Sequence, residues 1–559
     1  GLGTSTDEEA KEYFKNMKKI TYKYTENSNE YINLAFNKKR ADDRKEWLAN
    51  YDKTDVLDYK EEVVNYETFI NKDLIHFSNR NLERSIPNIM DGLKESTRKI
   101  LYACFKRKLY TNEIKVAQLA GNVSEVTAYH HGENSLQEAI IGMAQIFVGT
   151  NNINLLKPNG QFGTRLQGGQ DASSSRYIYT LITNLTRLIF KEEDNEILNY
   201  LDEDGLSIEP EYYLPIIPMI LVNGAIGIGT GYSTNIPQFN PEDIINIYLE
   251  NIEKIKLIIG DVLTIDDIDK AIELIDYDDI REIEPFYLGF KGTIVKNEKG
   301  SYVSKGIYKW IDDTTLEITE LPIGTWTENY KEYLEDLITK NNQYLKSFES
   351  HYTAKNVKFI LKVVESEDKE KIINEFNLSS SKNLSLNNLH LFTQKGNIKR
   401  YENISEILVE WFKVRIYKYH TRKEKQLTKM RDEFLVISNK IRFILDVIEG
   451  NILIMNKKLK EIENKLEERG YDRYENSYNY LLQLPISQLT ADKKESLEKE
   501  VATLEKDIKE LEKTSIIQIW EDELTVLLKE WINYKKEIME DYENDLKGDL
   551  KTVKKRGKK

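Results

Sequence analysis

Apolar positions change their spacing three times along this chain of 559 residues. From about residue 405 the rhythm is helical. Leu427, Met430, Phe434, Ile437, Ile441, Ile444 and Ile448 follow steps of three and four, and so do Leu497, Val501, Leu504, Ile508 and Leu511. Two such seams, about fifty residues apart with Gly450, Gly470 and Pro485 between the arms, predict an antiparallel coiled-coil hairpin with a small globular tip over 455–490. Between about 215 and 400 the pattern is mixed. Gly292-Thr293-Ile294-Val295 and Thr315-Leu316-Glu317-Ile318 alternate as strands do, whereas 241–256 reads as a helix. Residues 80–180 carry short helical stretches around Ile100, Leu101, Cys104 and Phe105. Residues 1–75 are polar and charge-rich, with a helix expected from a cap at Ser5 or Thr6 to about Lys19.

Composition narrows the class. At 40% hydrophobic and 10% aromatic residues the chain is not disordered as a whole. Its longest apolar run, 214–222, falls far short of the ~18 residues of a spanning helix, so no membrane partner is expected. A single cysteine, Cys104, excludes an internal disulfide and a cysteine-built zinc site, and fits a reducing compartment. The formal charge of −14 argues at first against nucleic acid. Residues 80–180, however, hold twelve Lys/Arg against eight Asp/Glu. The tail from Lys551 to Lys559 is basic and expected to lack structure.

Four clusters carry candidate chemistry. His130-His131-Gly132-Glu133 is dense in titratable groups but has no HExxH spacing or cysteine to make it a metal site, and adjacent extended residues face opposite ways. Satisfied structural histidines are the plain alternative. Lys94 and Arg98, followed by Lys99 and 106–108, share a helical face able to grip phosphates or simply to be solvated. Gly224-Ala225-Ile226-Gly227-Ile228-Gly229-Thr230-Gly231 lacks the ending of a phosphate loop. It reads as backbone approaching something closely, with an exposed isoleucine able to wedge between bases. In Ser175-Arg176-Tyr177-Ile178-Tyr179 an arginine stands beside a tyrosine, a pair suited to phosphoryl transfer. Chemistry alone does not separate Tyr177 from Tyr179 among 34 tyrosines.

Taken in order, GLGTST at 1–6, DDRKEW at 42–47, NLERSIP at 81–87, DGLK with RK at 91–99, KVAQLAG at 115–121, YHHGE at 129–133, GQFGTR at 160–165, RYIYT at 176–180 and NGAIGIGTGYST at 223–234 resemble the breakage-reunion region of a type IIA DNA topoisomerase of the eukaryotic and large-DNA-virus kind. The resemblance implies a multidomain α+β fold. Residues 1–75 would be the end of a TOPRIM region and a linker, 76–215 a winged-helix domain with the nucleophilic tyrosine, and 216–404 an α/β tower. Residues 405–540 would be a coiled coil with the C-terminal dimer gate, and 541–559 a basic tail.

It further implies Tyr177 as nucleophile, with Arg176, His131 and Arg98 serving the scissile phosphate. Arg44, Lys45, Lys94, Tyr129, His130 and Ser135 would contact DNA, and Ile228 would intercalate and bend it. Double-stranded DNA, a second copy and a preceding N-terminal part of the same polypeptide would be the partners. Mg²⁺ and ATP would be cofactors held outside this chain, with no metal ligands within it, so the chain alone would be inactive. The implied location is the nucleus, or host cytoplasm or virion for a viral version. Ile226 replaces a usual acidic residue and Tyr232 a common tryptophan. A DNA-binding coiled-coil scaffold without chemistry is the rival reading.

Overall fold

The computed structural model describes residues 5–17, 19–298, 301–365, 368–454, 456–485 and 491–556. The first four residues of GLGTST, part of the expected tip and the last three residues of the tail lie outside these. Thr6 caps α1 (Asp7–Lys15) in a reciprocal box: Glu9 N–H donates to the Thr6 hydroxyl, and Thr6 N–H donates to the Glu9 carboxylate at 2.8 Å. The helix ends at Lys15 rather than near Lys19. None of its side chains is buried, so no packing extends it. Two further helices, α2 (Ala41–Ala49) and α3 (Ile75–Ser85), share a small core through Leu48, Ile75 and Leu82.

Three helices form the centre of the next module: α4 (Glu95–Lys106), then β1 (Ile114–Lys115) running into α5 (Val116–Thr127), then α6 (Glu133–Ala144). Their inward residues recur at three- and four-residue steps: Ile100, Leu101 and Cys104; Val116, Leu119, Ala120 and Val123; Leu136, Ile140 and Met143. All of these are buried. β2 (Tyr179–Thr180) returns antiparallel to β1. A hairpin of β3 (Tyr200–Glu203) and β4 (Leu206–Pro210) lies against α4 and α5, which completes three helices with a wing. The glycine-rich segment expected as a loop is a second hairpin, β5 (Ala225–Ile228) and β6 (Ser233–Ile236). It presses on α3 so closely that a Cβ on Gly227 would stand 2.1 Å from the Ser85 carbonyl oxygen.

Beyond α7 (Pro241–Ile258), an antiparallel sheet is built from β7 (Ile307–Asp312), β8 (Thr315–Glu320), β9 (Leu345–Ser350) and β10 (Phe359–Val363), in the order β7-β8-β10-β9. The helix Thr327–Thr339 covers it with Tyr330 and Leu334. The sheet is joined to the three-helix module by a buried ion pair, Arg165 Nη2 to Glu320 Oε1 at 2.6 Å, and by Trp326, which occupies the space where Gly168 lacks a side chain. A last hairpin, β11 (Leu389–Phe392) and β12 (Ile398–Tyr401), leads into α8 (Ile404–Ile448).

The first half of α8 belongs to the module core. Tyr248, Trp411, Phe412, Tyr419 and Trp520 form one aromatic cluster with centroids 4.7–6.0 Å apart. The indole N–H groups of Trp411 and Trp520 donate to the carbonyls of Met90 and Ile216, so each ring is buried without a stranded donor. The second half of α8 pairs with α9 (Ala491–Lys513). Ile437, Ile441 and Ile444 meet Leu497, Val501 and Leu504, and Arg431 meets Glu512 nearer the base, so the helices run antiparallel as the seams predict. At the far end Phe443, Ile452, Ile462, Leu466, Tyr471, Tyr478 and Leu481 make a small separate core.

α10 (Ile516–Arg556) leaves the coiled coil after Ser515 and turns back along the module, burying Trp520, Leu524, Leu527 and Trp531. Near its end Asn356 donates to the Tyr542 carbonyl and to Asp545. The tail expected to be unstructured is therefore helical as far as Arg556; α10 is carried past Lys551 as one continuous helix. Among the described residues no helix is long and apolar enough to cross a membrane.

Candidate functional site

Tyr177 sits on a turn that buried neighbours hold in place. Ile178 is in the core, its carbonyl accepts from Val116 N–H, and the Ser175 carbonyl accepts from Ala117 N–H, so the turn is tied to the start of α5. Tyr177 N–H closes the turn on the Ser174 carbonyl at 2.9 Å. With Ile178 inward, the Tyr177 ring points out and is 70% exposed. The Arg176 guanidinium lies 5.8 Å from that ring centroid, and Arg176 Nε donates to Ser174 Oγ at 3.3 Å. Tyr179, two residues on, is half as exposed and is covered by Lys115 at 5.9 Å. Geometry thus separates the two tyrosines that chemistry alone leaves equal.

The Tyr129–Glu133 segment is the connection between α5 and α6. Ala128 turns it with a left-handed backbone, φ 49°. Tyr129 and His131 lie on one side, in edge contact at 5.3 Å, while His130 points away and bonds Glu203 on the wing at 2.8 Å. Alternation in an extended stretch has that consequence. Tyr129, His131 and Ser135 line a cavity of about 230 Å³ with Asn81, Arg84, Ser85, Glu95 and Ser96. Partial burial, then the positive charge of Arg84, holds the His131 imidazole below its ordinary pKa, so the ring is neutral at pH 7 and presents one N–H. Sequence reasoning does not single out Arg84, although NLERSIP contains it. It is exposed and, among the described residues, has no ion-pair partner.

A chain of hydrogen bonds links this cavity to the tyrosine turn. Ser175 Oγ donates to Gln137 Oε1 at 2.6 Å, and Gln137 Nε2 donates to Glu133 Oε1 at 2.8 Å. The link between the turn and the histidine segment runs through these side chains rather than through Tyr177 itself.

Ile228 ends β5 and is 80% exposed. Its hairpin is braced from two helices: Lys94 Nζ donates to the Ile226 carbonyl at 2.7 Å, and Asn81 Oδ1 accepts from Thr230 N–H at 3.0 Å. Burial lowers the Lys94 pKa. Lys45 lies 5.9 Å from the Tyr232 ring centroid and pairs with Asp42. Arg44 donates through Nη1 to the carbonyls of Leu34 and Asn37, closing the turn after the helix Ser28–Phe36.

Arg98 is a correction. Its Nε and Nη2 grip the buried Asp91 carboxylate at 2.7 and 3.0 Å, and Nη2 also reaches the Leu93 carbonyl. Lys94 is the N-cap residue of α4, so the two do not form a phosphate-gripping face. Lys99 is buried as well, on Glu209 and the Thr127 carbonyl. A charged side chain directed inward needs such a partner, and both cations are consumed in holding α4.

Residues 84–525 match the family model of DNA gyrase/topoisomerase IV, and residues 1–82 match the C-terminal associated domain of TOPRIM. The chain belongs to the type II DNA topoisomerase family and is its cleavage-reunion core. Within the family it resembles eukaryotic enzymes. DNA topoisomerase 2 of Plasmodium falciparum is 40% identical over 563 residues, covering 93% of this chain and 38% of the relative. DNA topoisomerase 2-alpha of Homo sapiens is 39% identical over 589 residues, covering 95% of this chain and 37% of the relative. The chain thus spans well under half the length of these relatives. A crystal structure of the Plasmodium falciparum topoisomerase II DNA-binding, cleavage and re-ligation domain superposes with TM-score 0.80 at 39% identity, covering 96% of this chain and 74% of that one.

Proposed function

We propose that this chain carries the DNA breakage and reunion of a type II topoisomerase, acting as a homodimer on double-stranded DNA. The observation that carries the reading is the Arg176–Tyr177 pair: a phenol held outward on an anchored turn with a guanidinium over its ring. The Tyr177 oxygen attacks a backbone phosphorus. An O–P bond forms, the bond from phosphorus to the deoxyribose O3′ breaks, and the DNA is left with a 3′-hydroxyl and a 5′-phosphotyrosyl end. The phenolic proton passes to water and the departing O3′ takes one up. Arg176 counters charge on the non-bridging oxygens, and neutral His131 offers its N–H to the same phosphate, with Tyr129, Ser135 and Arg84 around it. Reversal of the same step reseals the strand, because the ester conserves the energy of the broken bond.

Ile228 enters the base stack and bends the duplex, at a cost of a few kcal/mol per unstacked step. Lys94 and Asn81 brace its hairpin against that load. Lys45, Arg44 and His130 would flank the duplex. In this reading Arg98 is a structural residue.

Among the described residues no group of three or more His, Cys, Asp or Glu side chains is placed to hold a metal ion. The residues present therefore do not fit Mg²⁺, and no step above runs through it. Mg²⁺ and ATP are assigned to the part of the relatives' length that this chain does not cover. The proposed location is the nucleus, or host cytoplasm or virion for a viral enzyme.

Joined in one polypeptide to a TOPRIM module and given Mg²⁺ and duplex DNA, the protein should form a covalent protein–DNA adduct that Tyr177→Phe abolishes. An undiminished adduct in that variant would remove the nucleophile assignment. DNA binding with no adduct in either protein would favour the scaffold reading.

A further inference from the structure

Beneath the Ile228 hairpin lies β11, which belongs to the hairpin feeding α8. The two are joined by backbone and side chains together: Asn235 N–H donates to the Asn388 carbonyl at 2.9 Å, and Asn388 Nδ2 donates to Ser233 Oγ at 2.7 Å. His390 completes the joint. Its Nδ1 is 2.9 Å from the Ser233 carbonyl oxygen and 2.8 Å from Asn388 Oδ1, and its ring meets Tyr232 edge-on at 5.5 Å.

Both partners of Nδ1 can only accept, since the Asn388 amide orientation is fixed by its donation to Ser233. Nδ1 therefore carries the hydrogen. Burial, then the charge of Lys45, disfavours the imidazolium, so a neutral ring with a fixed tautomer serves here.

We infer that His390 is a positioning residue for DNA bending, its Nδ1–H holding the Ser233 carbonyl so that β5–β6 projects Ile228 at a set angle. The inference rests on the proposed role of Ile228. Ser233 opens β6 and pairs in register with Ile228 itself, so a shift at the Ser233 carbonyl is felt at the residue that enters the stack. The other braces, Lys94 on Ile226 and Asn81 on Thr230, sit on the opposite flanks of the hairpin. The His390 bond is the one that reaches it from the strand leading to α8. It is a joint between the bending finger and the coiled coil.

Two substitutions separate positioning from packing. His390→Phe keeps a ring against Tyr232 and loses the donor; His390→Asn loses the ring and keeps a donor at about the Nδ1 position. Bending is read by energy transfer across an end-labelled duplex at saturating protein, with affinity measured in parallel and Ile228→Ala as control. Loss of one hydrogen bond predicts about a five-fold fall in the bent-to-straight ratio for His390→Phe, with near-normal bending for His390→Asn. Unchanged bending in His390→Phe, or an equal loss in both variants, overturns the inference. If Ile228→Ala bends DNA normally, the role of Ile228 fails first and the inference falls with it. Loss of bending in Ile228→Ala but in neither His390 variant sinks the inference alone.

Discussion

Asp194 and Arg415 meet where the cleavage module joins the coiled coil, with Arg415 Nη2 donating to Asp194 Oδ2 at 2.6 Å and both side chains almost wholly buried. Arg422 approaches the same oxygen at 3.5 Å and binds Glu523 of α10 at 2.7 Å. The Tyr419 ring lies between the two guanidiniums, 3.9 and 4.6 Å away. Three elements are thereby locked by one group of charges. Asp194→Ala leaves two buried cations short of a partner, and the expected loss is about 3–5 kcal/mol in urea unfolding. A loss under about 1 kcal/mol would mean that water or Glu523 compensates.

Arg176→Ala should slow formation of the covalent adduct about 10²- to 10³-fold, the scale for removing one group that counters transition-state charge. Arg176→Lys should recover only part, because a point charge cannot span two oxygens as a guanidinium does. Single-turnover cleavage measures both. Equal rates for the alanine variant and the parent would show that Arg176 does not face the reacting phosphate.

Arg84 is exposed at the rim of the cavity that holds His131. Arg84→Ala should weaken DNA binding at low salt and reduce the slope of log K against log salt by about one, since one phosphate contact is lost. Fluorescence titrations at several salt concentrations give the slope directly. An unchanged slope would place Arg84 off the duplex.

The depressed pKa of His390 has a consequence for stability. The unfolded chain takes up a proton at about pH 6.5, whereas the folded chain resists it until lower pH. Between those values the unfolded state binds more protons, so stability rises with pH across the window and falls as the pH drops below about 6.5. His390→Asn removes this titration. Its Tm should therefore drop less than the parent's on going from about pH 7 to pH 5.5. Parallel Tm curves would refute the contribution.

Residues that repeat were legible before the structure; residues that turn inward alone were not. The seams through Ile437, Ile444, Leu497 and Leu504 show a periodicity of many residues, and they pair as expected. The glycines of 224–231 declared a close approach, which Gly227 makes on Ser85. Arg98 and Lys99 misled, because a charge in sequence says nothing of a buried carboxylate many residues away: Asp91 for one, Glu209 for the other. β1 and β2 have two residues each, too short to show alternation. The exposure of Tyr177 over Tyr179 depends on Ile178 entering the core, a tertiary fact. The net charge was equally mute, since it averages an acidic wing with a cavity whose unpaired cation is Arg84.

The two sides of the coiled coil are attached differently. α8 is one unbroken helix of 45 residues, gripped by the aromatic cluster at one end and reaching the distal tip at the other. The returning side is interrupted at Ser515, where Ile516 N–H donates to the Val262 carbonyl and Ser515 Oγ accepts from Val262 N–H. One rail is continuous and the other is jointed. A deflection at the tip must therefore travel along α8 as axial thrust, while α9 is free to pivot on Ser515 as a fulcrum. At a rise of about 1.5 Å per residue the lever is roughly 65 Å long, so an ångström of slip at the fulcrum becomes several at the tip.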